Sequence, residues 1–76
     1  MNKIEFAKKQ IEFAKQHRED DPHLANYVLR DLEVVKDADL TSLTWAMHQD
    51  GYVTKYDVDY LIELIEKEIA KQEGVG

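Results

Sequence analysis

Apolar side chains return every three or four residues along most of this chain, the spacing of one face of an α-helix. The pattern opens with a repeat: IEFAKKQ, from Ile4 to Gln10, is followed at once by IEFAKQH, from Ile11 to His17. Turned at 100° per residue, Ile4 and Ile11 fall together, Ala7 and Ala14 lie beside them, and Phe6 and Phe13 stand beyond the alanines. The apolar arc is about 160° wide, too wide for a two-stranded coiled-coil seam, and two heptads are too short for a stable zipper. The expectation is a helix over about residues 2–18, wedged between two neighbours, with isoleucines and phenylalanines alike in the core.

A second helix is expected over about residues 22–36. Asp21 is a good N-cap, and Pro22 suits the first helical position, where no N–H is needed. The acidic run Glu19-Asp20-Asp21 favours the positive end of the helix dipole. Leu24, Val28, Leu32 and Val35 make its stripe, widened by Tyr27, Leu29 and Val34. Asp31 falls inside that arc and is expected at its edge, paired with a lysine of the first helix.

A third helix, over about residues 40–50, takes Asp39 as its cap and ends at Gly51 in the left-handed conformation. Leu40, Leu43 and Met47 share one face, while Trp45 points the other way beside Thr41 and His48. The fourth, over about residues 55–72, is the most clearly marked. Thr54 is its N-cap, Asp57 stands where a capping box wants Glu or Gln, and Val53 and Val58 are placed as a hydrophobic staple. Val58, Leu61, Ile62, Ile65 and Ile69 form a narrow stripe, and the helix should fray into the closing EGVG.

One proline and three glycines leave little room for strands or long loops. The fold expected is therefore all-α: one domain over residues 1–76, a compact four-helix arrangement of two helical hairpins. The third and fourth helices, joined by a tight turn, are expected in a helix-turn-helix-like arrangement.

Composition narrows the function classes. A chain of 76 residues buries only about 60–65% of its unfolded surface, so its stability margin is small. Cysteine is absent, which removes disulfides and thiolate metal sites and favours a reducing compartment. No apolar run is long enough to span a membrane, and the N-terminus lacks the apolar region of a secretory signal, so a cytoplasmic protein is expected. Charge is uneven: residues 1–18 carry five basic and two acidic side chains, and residues 19–76 carry five basic and fourteen acidic. A body so acidic repels nucleic-acid phosphates and suits a basic protein partner or plain solubility.

The turn between the last two helices has two look-alikes. Asp50-Gly51-Tyr52-Val53 and Asp57 match part of a calcium-binding loop, but its first and third ligand places fall on Ala46 and His48, leaving too few oxygens. As a DNA-binding helix-turn-helix, its second helix would present Lys55, Tyr56, Asp59, Tyr60 and Glu63 to the groove. Of these only Lys55 suits a base edge or phosphate. Catalytic chemistry has little to build on. Ser42 is the only serine, Thr44 and His48 are merely four apart, and His17 and His23 beside Glu19, Asp20 and Asp21 match no defined metal spacing. No enzyme activity, metal or cofactor is expected.

The functional expectation rests on aromatic residues without a core role. Tyr56, Tyr60 and Leu64 follow one another at every fourth position of the last helix, off its main stripe, with Asp59 and Glu63 beside them and Lys67 beyond. Trp45 and Tyr52 are expected nearby across the short turn. Exposed Trp and Tyr among acids are the chemistry of a protein-binding hot spot, and the bland alternative packs Trp45 on the first helix. The reading is a small interaction module, a regulator or inhibitor that docks on a basic protein surface. By size and charge alone it is like the acidic mini-proteins of phages and mobile elements, some of which imitate nucleic acid. The alternatives are a helix-turn-helix transcriptional regulator and a homodimer formed through the first helix.

Overall fold

The computed structural model describes residues 2–49 and 51–74, and among them the chain is all-helical. Five helices follow one another: α1 (Lys3–His17), α2 (Pro22–Arg30), α3 (Glu33–Asp37), α4 (Thr41–Gln49) and α5 (Lys55–Gln72). Asp50, at the expected end of the third predicted helix, and the final Val75 and Gly76 lie outside the described residues. No described helix is long and apolar enough to cross a membrane.

α1 is capped by Asn2, whose side chain accepts a hydrogen bond from the Glu5 N–H at 2.9 Å. The repeat enters the core by one side only. Ala7, Ile11 and Ala14 are buried and Ile4 packs partly against them, but Phe6 is 47% exposed. Phe13 is half-buried, its ring 4.3 Å from that of His17. The alanines let α2 close on α1, and the phenylalanine side is left only partly covered.

What the repeat does organise is a charged seam with α5. Lys8 and Lys15, equivalent positions of the two copies, donate to Glu73 at 2.9 Å and to Glu66 at 3.4 Å. Arg18 then engages Asp59 with two nitrogens. Asp59, Glu66 and Glu73 are spaced by seven residues, so the heptad of α1 meets carboxylates of the same period on an antiparallel partner. Each pair is exposed and contributes little by itself, but together they define the register of the two helices.

The second predicted helix is two helices. α2 ends at Arg30, Leu32 takes an extended conformation (φ −65°, ψ 140°), and α3 restarts at Glu33. The physical reason is Val34. Nine residues from Ala25 is half a turn out of phase, so one straight helix could not bury both. With the break, Ala25, Leu29, Leu32, Val34 and Val35 are all buried. Asp31, freed at the break, is exposed and faces Arg30 rather than a lysine of α1; the lysine that reaches this end, Lys3, bonds Asp37 instead at 2.6 Å.

Asp39 does not cap the helix that follows it. It sits at φ 57°, the left-handed residue that closes α3. Its N–H donates to the Lys36 carbonyl at 3.1 Å and the Leu40 N–H to the Val35 carbonyl at 2.9 Å, a Schellman arrangement. The Leu40 carbonyl then accepts the first bond of α4, from the Thr44 N–H, so the corner contains no spare residue.

α4 is lightly held, and its principal neighbour is α2 rather than α5. Leu40 and Met47 pack partly on the core, but the buried residue of α4 is Thr44, whose hydroxyl donates to the Thr41 carbonyl at 2.8 Å. α5 follows its sequence pattern closely. Gly51 is left-handed (φ 69°), Thr54 and Asp57 form both bonds of the capping box, and Val53 and Val58 are buried. Val58, Leu61, Ile62, Ile65 and Ile69 then carry the floor of the core. The hydrophobic cluster lies between α1, α2, α3 and α5.

Candidate interaction surface

The capping box fixes where α5 begins, and with it which residues face away from the core. With Val58, Leu61 and Ile62 turned inward, Tyr56 and Tyr60 must point outward one turn apart. They are 69% and 53% exposed, and Tyr52, just before the cap, is 78% exposed. Leu64, one turn further, is half-buried at the margin of this face. Lys55 lies 5.5 Å from the centre of the Tyr56 ring and donates to Glu19 at 3.3 Å.

The acids of this face are less free than the sequence suggests. The Asp59 carboxylate is tied to Arg18 of α1, and Glu63 lies 3.6 Å from Lys67 on its own helix. The bond to Asp59 holds the Arg18 guanidinium even more firmly protonated than usual. Tyr56 and Tyr60 are therefore exposed one turn apart beside ion pairs, not beside bare carboxylates, and Tyr52 is exposed ahead of the cap.

Trp45 belongs elsewhere. It is 43% exposed, and its ring packs on α2, where the Arg30 guanidinium carbon lies 4.1 Å from the ring centre. His48 meets it edge-on at 5.9 Å. Among the described residues no ring-to-ring contact joins Trp45 to Tyr52, Tyr56 or Tyr60.

Around Trp45 stands a second group that sequence reasoning missed. Arg30 also lies 4.8 Å from the centre of the Tyr27 ring, so its guanidinium is flanked by two aromatic faces. Tyr27, expected to widen the core stripe of α2, is 53% exposed, and Leu24 on the same side is 38% exposed. A desolvated cation–π contact contributes about 2 kcal/mol, which accounts for Trp45 staying on α2. The one available signal was that Tyr27 and Arg30 are three residues apart on a helix, a spacing too common to stand out.

Two other groupings raised by the sequence have neighbours of their own. The Thr44 hydroxyl is committed to its own helix, and His48 stands exposed beside Trp45. His17 is occupied by Phe13. Among the described residues, no three or more His, Asp or Glu side chains are placed to share a metal ion. The chain matches no protein-family model, no curated protein and no solved structure.

Proposed function

We propose that the protein is a small interaction module, a regulator or inhibitor, that docks the Tyr52–Tyr56–Tyr60 edge of α5 on a basic surface of a partner protein. The observation that carries this reading is the exposure of all three tyrosines, from 53% to 78%, on a chain with little apolar area to spare. Asp59, Glu63 and the overall charge of −6 give the encounter its sign. Asp59, whose side chain is 46% exposed, has lone pairs left to accept from a partner's cation while it stays bonded to Arg18. Trp45 is a secondary contact in this scheme, reached only by a partner wide enough to extend over α4.

The helix-turn-helix alternative has less to stand on. A DNA binder of this composition would draw its phosphate contacts from the basic first helix, yet four of the five cations in residues 1–18 face carboxylates of the body: Lys3, Lys8, Lys15 and Arg18. Lys55, the residue suited to a groove, faces Glu19.

Affinity capture from nuclease-treated lysate tests the proposal, with the double variant Tyr56→Ala, Tyr60→Ala as comparison. A protein retained by the native chain, released by salt and lost by the variant is the expected result. Equal retention by the variant would overturn the tyrosine edge, and capture of DNA from untreated lysate would return the helix-turn-helix reading to first place.

A further inference from the structure

The most desolvated cation of the ion-paired set has the poorest partner. The Arg30 side chain is only 11% exposed, whereas the other paired lysines and arginines range from 24% to 71%. Yet its nearest carboxylate, Asp31, is 3.9 Å from Nε, beyond hydrogen-bond reach, and is itself 73% exposed. Arg30 Nε is closed off from solvent with no hydrogen-bond partner among the described residues. One turn earlier on the same face of α2, the Oδ1 of Asn26, a residue 1% exposed, is also without a partner. Buried charge and buried polar atoms are costly when unmatched; the Arg30 charge is the one an anion can match, whereas Asn26 Oδ1, an acceptor, calls for a donor. Cation–π contact with Tyr27 and Trp45 compensates for part of that cost but supplies no acceptor.

We propose that Arg30, framed by Tyr27 and Trp45, is a receptor for a single carboxylate borne beside apolar side chains on a peptide segment of a partner protein. The two rings hold the guanidinium plane in place, so little freedom is lost when its planar fork meets a carboxylate in two parallel bonds. Of its nitrogens only Nε is sealed without a partner, which leaves the terminal pair to receive the ligand. Tyr27 and Trp45, both partly exposed, form the apolar shelf beside it. Asp31 and the net charge of −6 disfavour a phosphate dianion or a polyanion and tolerate one negative charge that displaces Asp31. This site is separate from the tyrosine edge of α5 and stands or falls without it.

Trp45 is the only tryptophan, so its fluorescence reports this site alone. The probes are acetyl-Leu-Leu as free acid and as amide, acetyl-Leu-Glu-Leu-amide against acetyl-Leu-Gln-Leu-amide, sodium acetate and inorganic phosphate. The expected result is a saturable change with at least one peptide acid, at least tenfold tighter than its neutral twin. It should be lost in Arg30→Gln and weakened about tenfold in Arg30→Lys, which keeps the charge but not the planar fork. Whichever acid binds identifies the source as a chain terminus or a side chain. Equal response to acid and amide, tighter binding of phosphate, or response only to acetate at high concentration would overturn the proposal. If Arg30→Gln does not fold, the Arg30 Nε–H resonance of the native protein carries the test: it must shift with the peptide acid and stay still with the amide.

Discussion

Asp39 offers a test in which two readings of one residue predict opposite signs. Its sequence position suggests the N-cap of α4; its conformation, φ 57° with the Schellman bonds from its own N–H and that of Leu40, makes it the closing residue of α3. An ordinary L-residue loses about 1–2 kcal/mol in the left-handed region, Asp somewhat less because its short polar side chain tolerates it. Glycine has no such penalty but gives up more backbone freedom on folding, by about 0.5–1 kcal/mol. The balance predicts that Asp39→Gly gains about 0.5 kcal/mol and that Asp39→Ala and Asp39→Ser each lose about that much. In a chain this short, each step is a shift of about 2–4 °C in melting temperature. As an N-cap, the same position would accept Ser at no cost and lose a few tenths of a kcal/mol with Gly. Urea unfolding followed by helical circular dichroism measures both. A loss with Gly together with neutrality for Ser would refute the corner between α3 and α4 as described.

Three further outcomes follow from burial and charge. Leu29→Ala should cost about 2–5 kcal/mol, a large part of what so small a protein has, while Phe6→Ala should cost under about 1 kcal/mol because its ring is half outside; equal losses in urea titrations would put the phenylalanine side of the repeat back in the core. Hydrogen bonds from Lys3 and then Gln72 hold the Asp37 carboxyl below its ordinary value of 3.8, so its contribution is complete above that pH and is lost as pH falls through the lower folded value. Asp37→Asn should flatten the fall in stability below about pH 4 and leave the slope above pH 5 unchanged; an unchanged acid limb in pH-dependent urea midpoints would rule this out. Tyr56→Ala and Tyr60→Ala should each alter stability by less than about 0.5 kcal/mol, and a larger drop in melting temperature would assign that ring to the fold instead of to a partner.

What could be read from the sequence was what is decided locally. The whole program of α5 lies between Val53 and Ile69: the staple, the reciprocal bonds of Thr54 and Asp57, and the five buried apolar residues all depend on neighbours within a few positions. The break at Asp31–Leu32 carries no proline or glycine to announce it. Its cause, the phase of Val34 against Ala25, is visible in the spacing, but only the packed core makes a helix end there to satisfy it. Trp45 illustrates the limit for the site. Exposure on α4 could be inferred from its face, yet its partner Arg30 is fifteen residues away and joins it only because α4 leans on α2. The tyrosines of α5 needed no such knowledge, since the stripe on one side of a helix dictates what stands on the other.

The seam between α1 and α5 carries a hazard along with its order. Because Lys8 and Lys15 occupy equivalent places in near-identical heptads, and Glu66 and Glu73 are likewise seven apart, sliding α1 by one repeat would set Lys15 against Glu73 or Lys8 against Glu66 and still offer isoleucine and alanine to the core. During folding, such a misaligned pair is a decoy with much of the native reward. The contacts that have no copy lie at the two ends of the helix: Lys3 with Asp37, and Arg18 with Asp59 next to the short turn into α2. These unduplicated pairs act as end stops, and a chain stripped of them would face a choice between two alignments that the repeat itself cannot tell apart.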